Sequence, residues 1–112
     1  MPFISTMVID RGVARIVLAG ELDASSALAF RTDIEKAAAA GVSRLALEMA
    51  DLSYMASAGL RALVFAKQKM GAAVDIYVIG AQASVTETLE LTGFHNSVIA
   101  LPIYDASVIE PK

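Results

Sequence analysis

The chain has 112 residues, of which 56% are hydrophobic and none is cysteine, and its formal net charge is −3. This length predicts a single domain, residues 1–112, and the absence of cysteine, with no signal-peptide pattern, indicates a cytoplasmic protein without disulfides or cysteine metal sites. Scattered charges without a Lys/Arg cluster argue against nucleic acid as a partner, and the apolar runs are far shorter than the ~20 residues of a membrane span.

Two β-rich segments open the chain, over residues 3–9 and 13–19. The Asp-x-Gly spacing of the three residues between them predicts a hairpin turn, so the two strands are expected to be antiparallel. The second segment is apolar at nearly every position apart from Arg15, a pattern typical of a strand covered on both faces.

Residues 20–23 are predicted to form a loop after this strand, and a helix is expected over residues 24–40. Asp23, Ser25 and Ser26 can each cap that helix, because a short polar side chain accepts hydrogen bonds from the free N–H groups of the first turn.

A short buried strand over residues 45–49 and a loop over residues 50–55 lead to a helix over residues 58–70. Ser57 stands at this junction, where a serine commonly caps the helix. The other interpretation is an accessible hydroxyl, because Ala56 and the residues after Ser57 are small.

The helix has two different faces. One carries Leu60, Leu63, Val64 and Lys67, and the other carries Ala58, Arg61, Ala62, Phe65 and Lys69. A phenylalanine on the second, solvent-facing side can bury a large area against another protein. Alternatively, Phe65 lies under a loop or under the tail of the chain itself.

A further buried strand is expected over residues 74–79, and residues 84–87 have the spacing of a capping box that starts a helix ending at Gly93. Residues 98–103 contain Pro102 and predict an edge strand. The element order β-β-α-β-α-β-α predicts an α/β fold, a mixed β-sheet with an antiparallel N-terminal hairpin followed by βαβ units and layered with α-helices. Loops after parallel strands meet at one edge, which places Asp23 and Ser57 together.

Three segments resemble motifs of STAS domains, in particular those of bacterial anti-sigma factor antagonists. Residues 54–63, Y-M-A-S-A-G-L-R-A-L, are similar to the phosphorylation segment of that family, residues 20–23 to its G-E-L-D signature, and residues 90–94 to its closing helix. The resemblance covers roughly residues 5–105. Two residues depart from the usual segment, since Ala56 replaces an Asp and Ala58 replaces a second Ser.

The resemblance implies a phosphorylation-switched binding module in which Ser57 is the phosphorylated residue. Its partner would be an anti-sigma factor with an ATP-binding kinase fold, which is sequestered while Ser57 is unmodified, and a serine phosphatase would restore that state. The expected partner-binding residues are Asp23, Ala56, Ala58, Gly59, Arg61, Ala62 and Phe65. Alternatively, the chain is a STAS subunit of another assembly, a lipid-transport ATPase or a stressosome-like scaffold, with Ser57 unmodified.

The residues themselves argue against an enzyme. A nucleophilic Ser57 needs a base, and the one histidine, His95, follows the last predicted helix. The chain has no G-x-S-x-G elbow, no glycine-rich phosphate loop and no metal-ligand spacing, so we expect no catalytic residue, no metal and no cofactor. A small-ligand-binding α/β domain remains a third possibility, which a deep apolar pocket beside Asp23 and Ser57 would support.

Overall fold

The computed structural model describes residues 2–71 and 73–110. The strands of this part are β1 Ile4–Asp10, β2 Val13–Leu22, β3 Arg44–Met55, β4 Asp75–Ile79 and β5 Ile99–Leu101. The helices are α1 Ala27–Ala39, α2 Ser57–Met70, α3 Ala83–Thr92 and α4 Ala106–Ile109, and a 3-10 turn spans Phe94–Ser97. The strands lie side by side in chain order in one sheet.

The sheet is mixed, as the sequence predicts. Strand β1 pairs with β2 in antiparallel register, and the turn between them uses positive φ angles of 48° at Arg11 and 78° at Gly12. Every later neighbour pair, β2 with β3, β3 with β4 and β4 with β5, is parallel. The α/β fold with an antiparallel hairpin followed by βαβ units is therefore confirmed.

The two faces of the sheet are covered differently. Helices α1, α2 and α3 bury their apolar sides on one face in a cluster that includes Phe30, Leu63 and Leu89. On the other face α4 contributes Ile109 to a smaller cluster with Val13 and other sheet residues. Burial of this apolar surface is the main favourable contribution to folding.

Strand β2 is covered fully only on the helical face, so the expectation of two covered faces is wrong. Ala14, Ile16 and Leu18 are buried, whereas Val17 on the opposite face is 40% exposed. Arg15 lies on that face too, where its side chain pairs with Glu48 at 2.6 Å. The short α4 covers only the end of the strand near Val13, which leaves the rest of this face in contact with water.

Strand β3 continues to Met55, so the predicted loop over residues 50–55 is wrong. Its pairing with β4 ends at Glu48, but its pairing with β2 continues as far as Met55 opposite Leu22. Strand β2 likewise runs through Leu22 rather than ending in a loop at Gly20. The hydrophobic pattern does not reveal this extension. Residues 50–55 of β3 pair with β2 but not with β4, and most of their exposed side chains are polar.

Side chains at the start of α3 hold the free edge of this extension. The Gln82 amide donates to the carbonyl of Ala50 at 2.8 Å, and the Ser84 hydroxyl donates to the carbonyl of Ser53 at 3.0 Å. The predicted capping box is therefore wrong, because Ser84 satisfies a strand carbonyl and Gln82 occupies the N-cap position. The predicted C-terminal stop is confirmed, since Gly93 adopts φ 77°.

Candidate functional site

The candidate site lies where β2 and β3 end. The backbone N–H of Ala56 donates a hydrogen bond of 2.8 Å to the carbonyl of Leu22. Asp23 follows Leu22 directly and Ser57 follows Ala56 directly, so both residues stand at the same edge of the sheet. The parallel pairing of β2 and β3 produces this meeting.

Ser57 is exposed at the first position of α2, and it does not cap the helix. The N-cap residue is Ala56, with φ −77° and ψ 169°, and no side chain caps this end of the helix. The alternative interpretation of Ser57 as a capping residue is thus wrong. The result is an accessible hydroxyl beside first-turn N–H groups that no described side chain occupies.

Asp23 forms its hydrogen bonds within its own loop. Its Oδ1 accepts hydrogen bonds from the backbone N–H and the hydroxyl of Ser25, at 3.0 and 2.7 Å, and from those of Ser26, at 3.1 and 3.0 Å. These hydrogen bonds, chiefly those from the two hydroxyls, lower the pKa of Asp23. Among the described residues Asp23 accepts no hydrogen bond from Ser57, and α1 begins at Ala27 rather than at residue 24.

Gly59, one of the expected partner-binding residues, is buried in this structure. A Cβ at this position would lie 2.7 Å from Cγ of Leu22 and 3.1 Å from Cγ of Met55. The absence of a side chain lets the first turn of α2 pack closely on the end of β2. This close packing of Gly59 on Leu22 fixes the position of the helix start that carries Ser57.

An open depression of about 310 Å³ lies between α1 and α2, and Ala58, the residue after Ser57, is part of its lining. Its lining residues are Ala27, Leu28, Arg31, Ala58, Arg61 and Ala62. Arg61 is exposed and Ala58 is half-buried, but Ala62 is only 5% exposed, so its expected place on the solvent-facing side of α2 is wrong. The depression thus has a largely alanine floor with arginines at its rim.

Phe65 lies beside α1, which neither sequence interpretation anticipated. Its half-buried ring packs against the core, and the guanidinium carbon of Arg31 lies 3.9 Å from the ring centroid. Arg31 also approaches the Glu35 carboxylate at 3.6 Å. Phe65 therefore supports Arg31 on the rim of the depression, instead of being presented to solvent on its own.

Sequence reasoning missed the contribution of α1 to this surface. Leu28 lines the depression and is 72% exposed. A signal is present, because Leu28 and Arg31 are three residues apart and lie off the buried face defined by Phe30 and Ile34. Only the packing of α1 against α2 shows that this face shares a depression with Ala58 and Arg61.

Other classes of site find no support in the described residues. His95 is exposed in the turn after α3, and α3 runs from the edge that carries Ser57 back towards the opposite edge. No group of three or more His, Cys, Asp or Glu side chains within residues 2–71 and 73–110 can hold a metal ion. None of the described helices is long and apolar enough to cross a bilayer.

Comparison with known proteins identifies relatives of this chain. The family model of the STAS domain matches residues 5–108. No curated protein gives a significant match. Among solved structures, an anti-sigma factor antagonist from Mycobacterium paratuberculosis superposes with a TM-score of 0.85 at 20% identity, over 96% of this chain and 92% of that one.

Two further structures are of proteins named SpoIIAA, one described as an anti-sigma factor antagonist and the other as a Bacillus cell fate determinant. The first, in its unphosphorylated form, has a TM-score of 0.71 at 18% identity, covering 95% of this chain and 92% of that one. The second, in its phosphorylated form, has a TM-score of 0.69 at 20% identity, covering 88% of this chain and 90% of that one. At these identities the likeness concerns the fold.

Proposed function

The chain belongs to the STAS domain family, and from that premise we propose that it is an anti-sigma factor antagonist switched by phosphorylation of Ser57. In the unmodified state it binds an anti-sigma factor with an ATP-binding kinase fold and so releases a sigma factor in the cytoplasm. The observation that carries the proposal is the exposed Ser57 side chain at the start of α2, a helix end that has no side-chain cap. Structural relatives with the same fold are anti-sigma factor antagonists, and a SpoIIAA with this fold is known in a phosphorylated form.

The binding surface in this proposal is centred on Ser57 and extends along the depression between α1 and α2. Asp23, Ala56, Ala58 and Arg61 remain its predicted contributors, and Leu28 and Arg31 join them because they line the same depression. Ala62 contributes to the floor, Phe65 supports Arg31 and Gly59 acts by packing. Arginine is enriched in the energetically important part of protein interfaces, and a partner on this surface would also cover the exposed Leu28 side chain.

The switch itself is electrostatic and needs no enzyme activity from this chain. The Ser57 oxygen attacks the γ-phosphorus of ATP bound to the partner kinase, the bond to the β-phosphate oxygen breaks, ADP leaves, and a base on the kinase takes the hydroxyl proton. The phosphate adds about −1.5 to −2 charges at the start of α2, where the helix dipole and free N–H groups tolerate an anion. Hydrolysis by a serine phosphatase restores the hydroxyl.

The partner cannot accommodate the phosphate so easily, because docking removes water from the charge. Each loss of ~1.4 kcal/mol lowers the affinity tenfold, so a few kcal/mol of desolvation and repulsion are enough to dissociate the complex. The fold does not need to rearrange for this to happen.

A phosphotransfer assay tests the proposal. The chain is incubated with ATP and the anti-sigma factor of kinase fold encoded in the same genome, and phosphate is located by mass spectrometry. We expect one phosphate on Ser57 and none in Ser57→Ala. Stable binding without phosphate transfer would instead favour a permanent subunit of another assembly, in which Ser57 is only a small interface residue.

A further inference from the structure

Arg61 stands one helical turn after Ser57 on α2. Residues four apart on a helix are surface neighbours, with Cβ atoms about 5–6 Å apart. Side chains on a helix lean towards its N-terminus, so the arginine leans over the turn that carries the serine. Both residues are exposed, and Ala58, the residue after Ser57, has too small a side chain to separate them.

The Arg61 guanidinium is also available. Arg11, Arg15 and Arg31 each approach a carboxylate, at 2.6, 2.6 and 3.6 Å respectively. Arg61, in contrast, forms no ion pair or side-chain hydrogen bond with the part of the chain that the structure describes. Guanidinium groups bind phosphate with two parallel hydrogen bonds, an arrangement stronger than neutral hydrogen bonds.

We propose that Arg61 binds the phosphate of phosphorylated Ser57 within the same helix. This inference rests on the proposed function only in taking Ser57 as the modified residue. An acid placed four residues before a base is the favourable orientation of such a pair on a helix. The pair withdraws Arg61 from the rim of the depression, so phosphorylation changes the surface both by adding a dianion and by removing a cation.

The replacement of the usual acid before Ser57 fits this arrangement. Ala56 places no carboxylate beside the phosphate, and Asp23 is held by four hydrogen bonds from Ser25 and Ser26. Arg31, the other arginine of the depression, belongs to α1 and stacks on Phe65. Arg61 is thus the cation on the same helix and one turn from the phosphate.

The second ionisation of the phosphoserine reports the pair directly. Phosphoserine is installed at position 57 of the full chain during synthesis, and its pKa is measured by phosphorus NMR. Arg61→Gln should raise this pKa by roughly 0.3, the size expected of an exposed helical ion pair. Arg61→Lys should retain most of the lower value, and 1 M salt should remove most of the difference between the wild type and Arg61→Gln because it screens exposed charges.

Two controls separate a specific pair from the general field of the protein. Lys69→Gln removes one positive charge two turns further along α2, and Arg31→Gln removes one across the depression. In each control variant the phosphoserine pKa should change by less than about a third of the change that Arg61→Gln produces. An unchanged pKa in Arg61→Gln, or an equal shift in all three variants, would overturn the proposal.

The measurement is independent of any kinase. Failure of the kinase to modify the natural chain would remove the proposed switch and leave the NMR result intact. Absence of the pair, conversely, would leave Ser57 phosphorylation untouched.

Discussion

The backbone N–H of Ala56 donates to the carbonyl of Leu22 at 2.8 Å. This hydrogen bond joins the end of β2 to the residue before α2 and places the loop containing Asp23 beside Ser57. The same Leu22 lies against Gly59, where an added Cβ would be 2.7 Å from its Cγ atom. The position of the serine hydroxyl therefore depends on close packing directly beneath it.

Gly59→Ala should destabilise the fold, although alanine is the better helix former. Leu22 is fully buried and cannot move aside freely, so overpacking should cost about 1–3 kcal/mol against a propensity gain of up to about 1 kcal/mol. Urea unfolding measures the difference, and Ser57→Ala at the exposed start of the same helix is the control. A rise in stability for Gly59→Ala would show that the packing at Leu22 is looser than described.

Arg31 and Phe65 should be energetically coupled. The guanidinium carbon is 3.9 Å from the ring centroid, and an exposed cation–π contact is worth about 0.5–1 kcal/mol. A double-mutant cycle with Arg31→Ala and Phe65→Leu, followed by urea unfolding, should give a coupling free energy of this size. Leucine retains apolar packing, so additive effects of the two substitutions would mean that Phe65 does not support Arg31.

The loop before α1 should become less stable in acid. Hydrogen bonds from Ser25 and Ser26 lower the pKa of Asp23 below its ordinary value of 3.8, so its contribution to stability is complete above that value and is lost as the pH falls through the lower pKa of the folded state. The stability difference between the wild type and Asp23→Asn should be constant from neutral pH to about pH 5 and shrink below about pH 4.

Unfolding monitored at several pH values tests this dependence, with Asp51→Asn as a control at an exposed carboxylate for which the structure shows no side-chain partner among the described residues. A difference between the wild type and Asp23→Asn that grows on acidification would contradict the assigned direction of the pKa shift.

The C-terminal segment should contribute to stability through Ile109. This residue is fully buried against the sheet face opposite α1, α2 and α3, whereas its neighbour Val108 is 45% exposed. Ile109→Ala should cost about 2–4 kcal/mol, since a large buried side chain is removed, and Val108→Ala should cost under about 1 kcal/mol. Equal losses in urea unfolding would show that α4 does not hold its register on the sheet.

Tyr104 and Glu110 reinforce the same segment. The Tyr104 hydroxyl donates to the Glu110 carboxylate at 2.9 Å, and burial, together with this hydrogen bond, raises the pKa of Tyr104. The Tyr104 ring also lies 3.9 Å from the guanidinium carbon of Arg15. These contacts explain how so short a helix stays on the sheet, a feature that the polar C-terminal sequence did not reveal.

The sequence predicted what depends on local patterns. The hairpin turn at Gly12, the parallel βαβ order and the end of α3 at Gly93 follow from turn chemistry and hydrophobic period, and all are present. The paired extension of β3 to Met55 was missed, because its outer positions are polar and its stability comes from β2 and α3.

For the site, the sequence predicted that Asp23 and Ser57 share an edge, because connections after parallel strands must meet there. It did not predict that Gly59 is buried or that Leu28 lines one depression together with Ala58 and Arg61. Both facts depend on how α1 and α2 pack against each other and on β2, and no single-helix pattern contains that information.

The most direct measurement of the central claim is calorimetric binding of Ser57→Ala and Ser57→Asp to the anti-sigma factor of kinase fold encoded in the same genome. Ser57→Ala should bind as tightly as the unmodified chain, because the hydroxyl makes no hydrogen bond with the described residues. Ser57→Asp should bind at least about tenfold more weakly, a loss of ~1.4 kcal/mol from one buried negative charge. Equal affinities of the two variants would contradict the account.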